Sequence, residues 1–235
     1  MHPLKKTAHV AGLLYLLVVI AGPIVLIYVP GKIYVAGDAA ATVGNILAHE
    51  SLYRFNIFLG LVSELLFLAV VLTLYQLLKG VQREVAAVMV LLILLDVPLA
   101  LLGSANEVAT LAFARGADFL SVFDQPQRDA LATLLIQIDR EGVLVSEMFW
   151  GLWLLPLAWL IYRSGFLPRF LAVWLALNGL AYVAISSTGI LLPQYLHRVS
   201  QLATPLLFGE MALMLWLLIV GARVPRPAVP APAAS

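Results

Sequence analysis

Residues 55–78 read FNIFLGLVSELLFLAVVLTLYQLL, an apolar run broken by one charge, Glu64. A bilayer core about 30 Å thick needs about 20 apolar residues at a rise of about 1.5 Å each. This stretch therefore spells a transmembrane helix, and five more stretches do the same. They are Val10–Val29, Val85 to about Ala112, Gly142–Tyr162, Phe170–Leu192 and Leu202–Ala222. The first follows Lys5 and Lys6 as a leader peptide would. Its apolar run exceeds the roughly 7 to 15 residues of a signal h-region, so it reads as an uncleaved span.

The whole 235-residue chain agrees: it is 63% hydrophobic and 11% charged, with a mean hydropathy of +1.00. Soluble domains carry about 25% charged residues, so a water-facing surface is excluded. So is disorder, which needs low hydrophobicity and high net charge. A net charge of +1 argues against nucleic acid as a partner. Cysteine is absent, which rules out disulfides, thiolate metal sites and cysteine nucleophiles. The fold class is all-α: a polytopic membrane helix bundle of about six transmembrane helices with short interfacial helices. Residues 1–222 form one domain, and residues 223–235 read as a disordered Pro/Ala-rich tail.

Lys5, Lys6, Lys79, Arg83, Arg163, Arg169, Arg223 and Arg226 fall at one end of these spans, with Glu84 the only acid among their loops. By the positive-inside rule that end, with both termini, is cytoplasmic. The loops between spans 1 and 2 and between spans 3 and 4 then face outward. In the first, Asp38 is placed to cap a short helix towards Glu50, with Val43, Ile46 and Leu47 on one face and Asn45 and His49 on another. In the second, Asp124 precedes Pro126 at the start of a helix carrying a Leu131, Leu134, Leu135 and Ile138 stripe. That helix either lies flat or runs straight into span 4.

Charged groups inside a span cost about 2.5 to 3.5 kcal/mol each on insertion scales. Five carboxylates need a reason: Glu64 and Asp96 near the midplane, Glu107 near the outer boundary, Glu147 about two turns below it, and Glu210 deeper. The inner half holds none. Asp96, Gly103 and Glu107 share one face of span 3, and Arg140, Glu147 and Gly151 one face of span 4. Asn178, Tyr182 and Gly189 nearly align on span 5, while Asn56, Gly60 and Ser63 give span 2 a small polar face beside Glu64. Lipid cannot satisfy such faces, so they turn inward.

The plain reading makes each acid structural, hydrogen-bonded to Asn, Ser, Tyr or backbone, with Arg54–Glu50 and Arg140–Glu147 as ion pairs. Their clustering in one half of the membrane favours a hydrated pocket that opens outward and binds or transports a small polar or cationic ligand. A second reading is a membrane-embedded, metal-dependent hydrolase or transferase at the outer interface, for which His49, Glu147, Glu210 and His197 are weak zinc-ligand candidates. A third is a structural or sensory subunit. No G-x-S-x-G, P-loop or G-x-G-x-x-G occurs, and the sequence specifies neither a catalytic residue nor a cofactor.

Several stretches also resemble, in order, the bacterial membrane family of domain of unknown function 4386. They are Ala11-Gly12-Leu13-Leu14-Tyr15-Leu16, Val29-Pro30, Asn45-Ile46-Leu47-Ala48-His49-Glu50 and Tyr53-Arg54. Further on come Leu74-Tyr75-Gln76-Leu77-Leu78, Trp153-Leu154-Leu155-Pro156, Ser164-Gly165-Phe166-Leu167-Pro168-Arg169, and Gly209-Glu210 with Leu215-Trp216-Leu217-Leu218. The resemblance implies a multi-spanning bacterial inner-membrane protein and no particular reaction. It singles out Asn45, His49, Arg54, Glu147 and Glu210, overlapping the set reached from insertion cost, to which Glu64, Asp96 and Glu107 belong.

Overall fold

The computed structural model describes residues 3–223, and the Pro/Ala tail expected after Arg223 lies outside them. Helix α1 (Pro3–Pro23) continues through a π-helical turn, Ile24–Tyr28, into α2 (Val29–Ile33). After α3 (Ala39–Ala48) come α4 (Glu50–Leu78), α5 (Arg83–Arg115), α6 (Gln125–Ser164) and α7 (Arg169–Leu191). The chain ends in α8 (Leu196–Ala203), a short 3-10 turn and α9 (Gly209–Ile219). Among the described residues five helices are long and apolar enough to span a membrane, and six if the bent α8/α9 pair counts as one. The chain is thus a multi-pass membrane helix bundle.

Six elements close into a ring in the order α1, α4, α5, α6, α7, α9, each packed on the next and α9 back on α1. Small residues set the closest crossings. A Cβ at Gly151 of α6 would stand 2.5 Å from the Gly179 carbonyl oxygen of α7, and one at Gly12 of α1 would stand 2.5 Å from the Leu218 nitrogen at α9. Without a hydrophobic drive in lipid, such backbone approaches supply the contact that holds spans together. Large apolar side chains go outward instead, and Leu13, Ile20, Phe58, Leu65 and Leu180 are all exposed.

The end bearing Lys5, Lys79, Arg83, Arg163 and Arg169 is filled by a dry core around Trp153, Leu154, Leu157, Leu74, Met89 and Leu213. We call this the basic end. The opposite end carries α2, α3 and the projecting halves of α5 and α6, packed around Val43, Ile46, Tyr53 and Ala132.

Three of the sequence expectations need correction here, and the choice left open for the helix after Asp124 is decided. The loop helix after Asp124 and span 4 are one 40-residue helix, about 60 Å long at 1.5 Å per residue. On it, Leu134 and Ile138 of the expected stripe are exposed, while Ala132 is buried and Ile136 packs beside it. The side of this stretch that faces protein is the one carrying Ala132 and Ile136. On α3, Val43 and Ile46 are buried but Leu47 is exposed. The sixth span is not a single rod: Pro193–Ala203 and Leu206–Ile219 meet at 53°, because Pro205 cannot continue the α8 hydrogen-bond ladder.

Candidate functional site: an acidic cavity within the helix ring

A polar girdle crosses the ring where the dry core ends. The Tyr15 hydroxyl of α1 donates to the Glu210 carboxylate, which α9 presents in its first turn. The Glu210 backbone N–H donates to Asn178 Oδ1 of α7 at 3.2 Å. One turn along α7, Tyr182 meets Trp150 of α6 edge to face, with ring centroids 6.0 Å apart. Trp150 Nε1 donates to Asp96 Oδ2 of α5 at 2.8 Å. Asp96 in turn lies within charge-charge range of Glu64 on α4, and Phe67, one turn from Glu64, touches the Tyr15 ring to close the circuit. All six ring elements contribute to this one layer.

Above the girdle, away from the basic end, lies a cavity of about 810 Å³. That is the upper part of the roughly 300 to 1,000 Å³ usual for ligand pockets. Glu64 and Glu210 line its floor, and Glu107 and Asp139 its wall. Asn56 Nδ2 donates to Glu107 Oε1 at 3.1 Å. Asp139 is seated against bare backbone, since a Cβ at Gly103 would fall 2.5 Å from its Oδ1. This accounts for the glycine on the acidic face of α5. Arg140 also lines the cavity, with its guanidinium 4.3 Å from the Tyr34 ring centroid. That stack joins the chain after α2 to α6 across the far end.

The girdle is underfilled in hydrogen bonds. Glu64 Oε1 and Asn178 Nδ2 in the girdle, and Asn56 Oδ1 above it, are buried with no protein partner. Buried polar atoms left without a partner cost about 1 to 3 kcal/mol each, and water or a ligand would satisfy them.

The predicted site residues separate into two groups. Glu64, Glu107 and Glu210 share the cavity wall, and Asp96 stands behind it, buried on Trp150. Glu147 is not on that wall. It stands on α6 about one turn before Trp150, and its Oε2 is buried without a partner. The remaining three lie towards the far end. Asn45 Nδ2 donates to the Ile33 carbonyl at 3.1 Å, tying α3 to α2. Arg54 Nε binds Glu50 Oε1 at 2.6 Å, and Arg115 Nε reaches Glu50 Oε2 at 3.0 Å, so the pair expected from spacing is a surface triad. His49 is the exposed hinge between α3 and α4. Arg140 does not pair with Glu147: seven residues of helix separate them by about 10 Å. His197 is exposed on α8, and among the described residues no three His, Asp or Glu groups are arranged to hold a metal ion.

Tyr15, Tyr34, Asp139 and Trp150 were not singled out by sequence reasoning. Tyr15 and Trp150 stand in apolar runs where an aromatic reads as packing, and Asp139 stands where the hydropathy falls and reads as loop. Tyr15 had one available signal, a hydroxyl deep inside a span.

The family described as Domain of unknown function (DUF4386) matches this sequence over residues 10–221. No curated protein and no solved structure matches it.

Proposed function

The chain belongs to the DUF4386 family, and from the shape and charge of its cavity we propose that it binds a small polar or cationic ligand inside the membrane. The observation that carries this reading is the convergence of Glu64, Glu107, Asp139 and Glu210, from four different helices, on one cavity whose only cation among the described residues is Arg140. An excess of carboxylates in a low-dielectric recess attracts positive charge and hydrogen-bond donors. The unpartnered Oε1 of Glu64 gives such donors somewhere to bind.

The distribution of Lys and Arg supports an outward-facing cavity, with the basic end in the cytoplasm. A transport cycle would also have to part the dry core beneath the girdle, where Trp153, Leu157 and Leu213 are fully buried. Binding from one side asks for no such opening, and it is the simpler activity for this geometry.

Saturation binding of radiolabelled methylammonium and butylammonium to purified, reconstituted protein tests the proposal. Saturable uptake by wild type, weakened at least tenfold in Glu64→Gln and Glu210→Gln, is expected. Tenfold corresponds to about 1.4 kcal/mol, a modest share for one charged contact. Affinities in both variants equal to wild type would end the reading.

A further inference from the structure

The cavity has an apolar half and a gap in its wall. Below the girdle α1 is held between α4 and α9, but beyond its chain neighbours the π-helical turn Ile24–Tyr28 packs mainly on α4. None of its five residues is buried. The element that would close that flank is the first half of the sixth span. It bends away at Pro205, and α8 packs on α7 instead of reaching α1. The gap is framed by α1 on one side and by Leu207 and Met211 of the elbow on the other, all on the cavity wall. Its lower edge is the Tyr15–Glu210 contact, and its upper edge is the Arg140–Tyr34 stack. From Val18 to Gly31 the opening extends about 20 Å along the end of α1, the π-helical turn and the start of α2. Within it Leu26 and Ile27, both cavity-lining, are 47% and 70% exposed.

A recess that is acidic at its floor, apolar along its flank and open sideways at hydrocarbon depth matches one ligand chemistry. We propose that the occupant is a membrane amphiphile with an amine-bearing head and an aliphatic tail, entering between α1 and the Pro205 elbow. Its head rests among Glu64, Glu107 and Glu210, and its tail leaves along Val18, Gly22 and Leu26. The assignment rests on the cation-binding reading above and adds the tail and the route. A wholly water-soluble cation would gain nothing from an apolar flank this long, whereas the aliphatic tail of an amphiphile stays among apolar groups while its head enters the recess.

Three glycines on the cavity wall, Gly22, Gly31 and Gly142, would carry a Cβ into open space, with nothing within 4 Å. Bulk added there fills the cavity without disturbing a helix contact. The test uses the full chain in phosphatidylcholine vesicles and hexadecylamine bearing a photoactivatable diazirine in its tail, with cross-links mapped by peptide mass spectrometry. Cross-links are expected to concentrate at residues 18–31 and 206–211. They should fall at least tenfold in Gly22→Trp and Gly142→Trp, and remain unchanged in Gly44→Trp, whose Cβ also meets nothing but which does not line the cavity. The wild-type map decides the matter even if a tryptophan variant misfolds. Labelling spread evenly over the outward-facing leucines overturns the lateral route. If methylammonium still binds in that case, the acidic site stands without its portal; if neither probe binds, both proposals fall.

Discussion

At the scale of the single residue, Tyr15 shows how a membrane protein accommodates a buried acid. Glu210 sits one residue into α9, where the helix dipole already favours negative charge. Tyr15 adds a donor from the opposite helix. Interhelical hydrogen bonds in membranes average about 0.6 kcal/mol and reach about 1.7 kcal/mol. Here the partner is a carboxylate beside fully buried Leu213 and Leu217, so the upper value applies. Tyr15→Phe is expected to cost about 1.5 kcal/mol, read as a lower melting temperature in detergent. Glu210→Gln keeps an acceptor for the same hydroxyl and should cost less. A larger loss in Glu210→Gln than in Tyr15→Phe would show that the charge, rather than the hydrogen bond, holds α9 to α1. Trp150 plays the matching part on the other side of the ring: its Nε1 serves an Asp96 only 2% exposed.

At the scale of the helix, closeness is set by glycine, and the glycines divide by what surrounds them. Gly151 and Gly179 face each other's carbonyl oxygens at 2.5 and 2.7 Å from an added Cβ. Gly151→Ala must therefore push α6 and α7 apart, at a cost of about 1 to 3 kcal/mol. Gly142→Ala, on the same helix with nothing within 4 Å, should be neutral or raise the melting temperature, because alanine is the better helix former. Equal melting temperatures for the two variants would contradict the α6–α7 crossing. This is also the scale at which the sequence is most and least legible. Spans such as residues 55–78 are readable because apolar length alone decides them. The angle of the elbow is not: Pro205 marks a place where a helix can kink, but hydropathy is indifferent to a 53° bend. Nor is the continuity of α6, where Asp139-Arg140-Glu141 interrupts the apolar pattern just where the helix passes from its projecting half into the bundle. The acids declared themselves through their insertion cost, while the aromatics that hold them did not. A tyrosine or tryptophan in a span costs little, so nothing in its surroundings marks it as a partner.

At the scale of the whole molecule, one asymmetry bears on which side of the membrane the cavity faces. Lys5, Lys79, Arg83, Arg163, Arg169 and Arg223 crowd the end closed by the dry core, whereas Asp38, Glu50, Asp118, Asp124 and Asp129 belong to the end that carries the cavity. Because basic loops resist translocation and acidic ones contribute little, the basic end is expected in the cytoplasm. The chain has no cysteine, so single introduced thiols report topology without background. Val122 in the loop between α5 and α6 is 80% exposed, and Gly80 between α4 and α5 leaves room for a side chain. In intact cells a membrane-impermeant maleimide should label Val122→Cys and spare Gly80→Cys, and both should react once the membrane is permeabilised. Labelling of Gly80→Cys alone would invert the protein. The acidic cavity would then face the cytoplasm, and its ligand would have to be sought on that side.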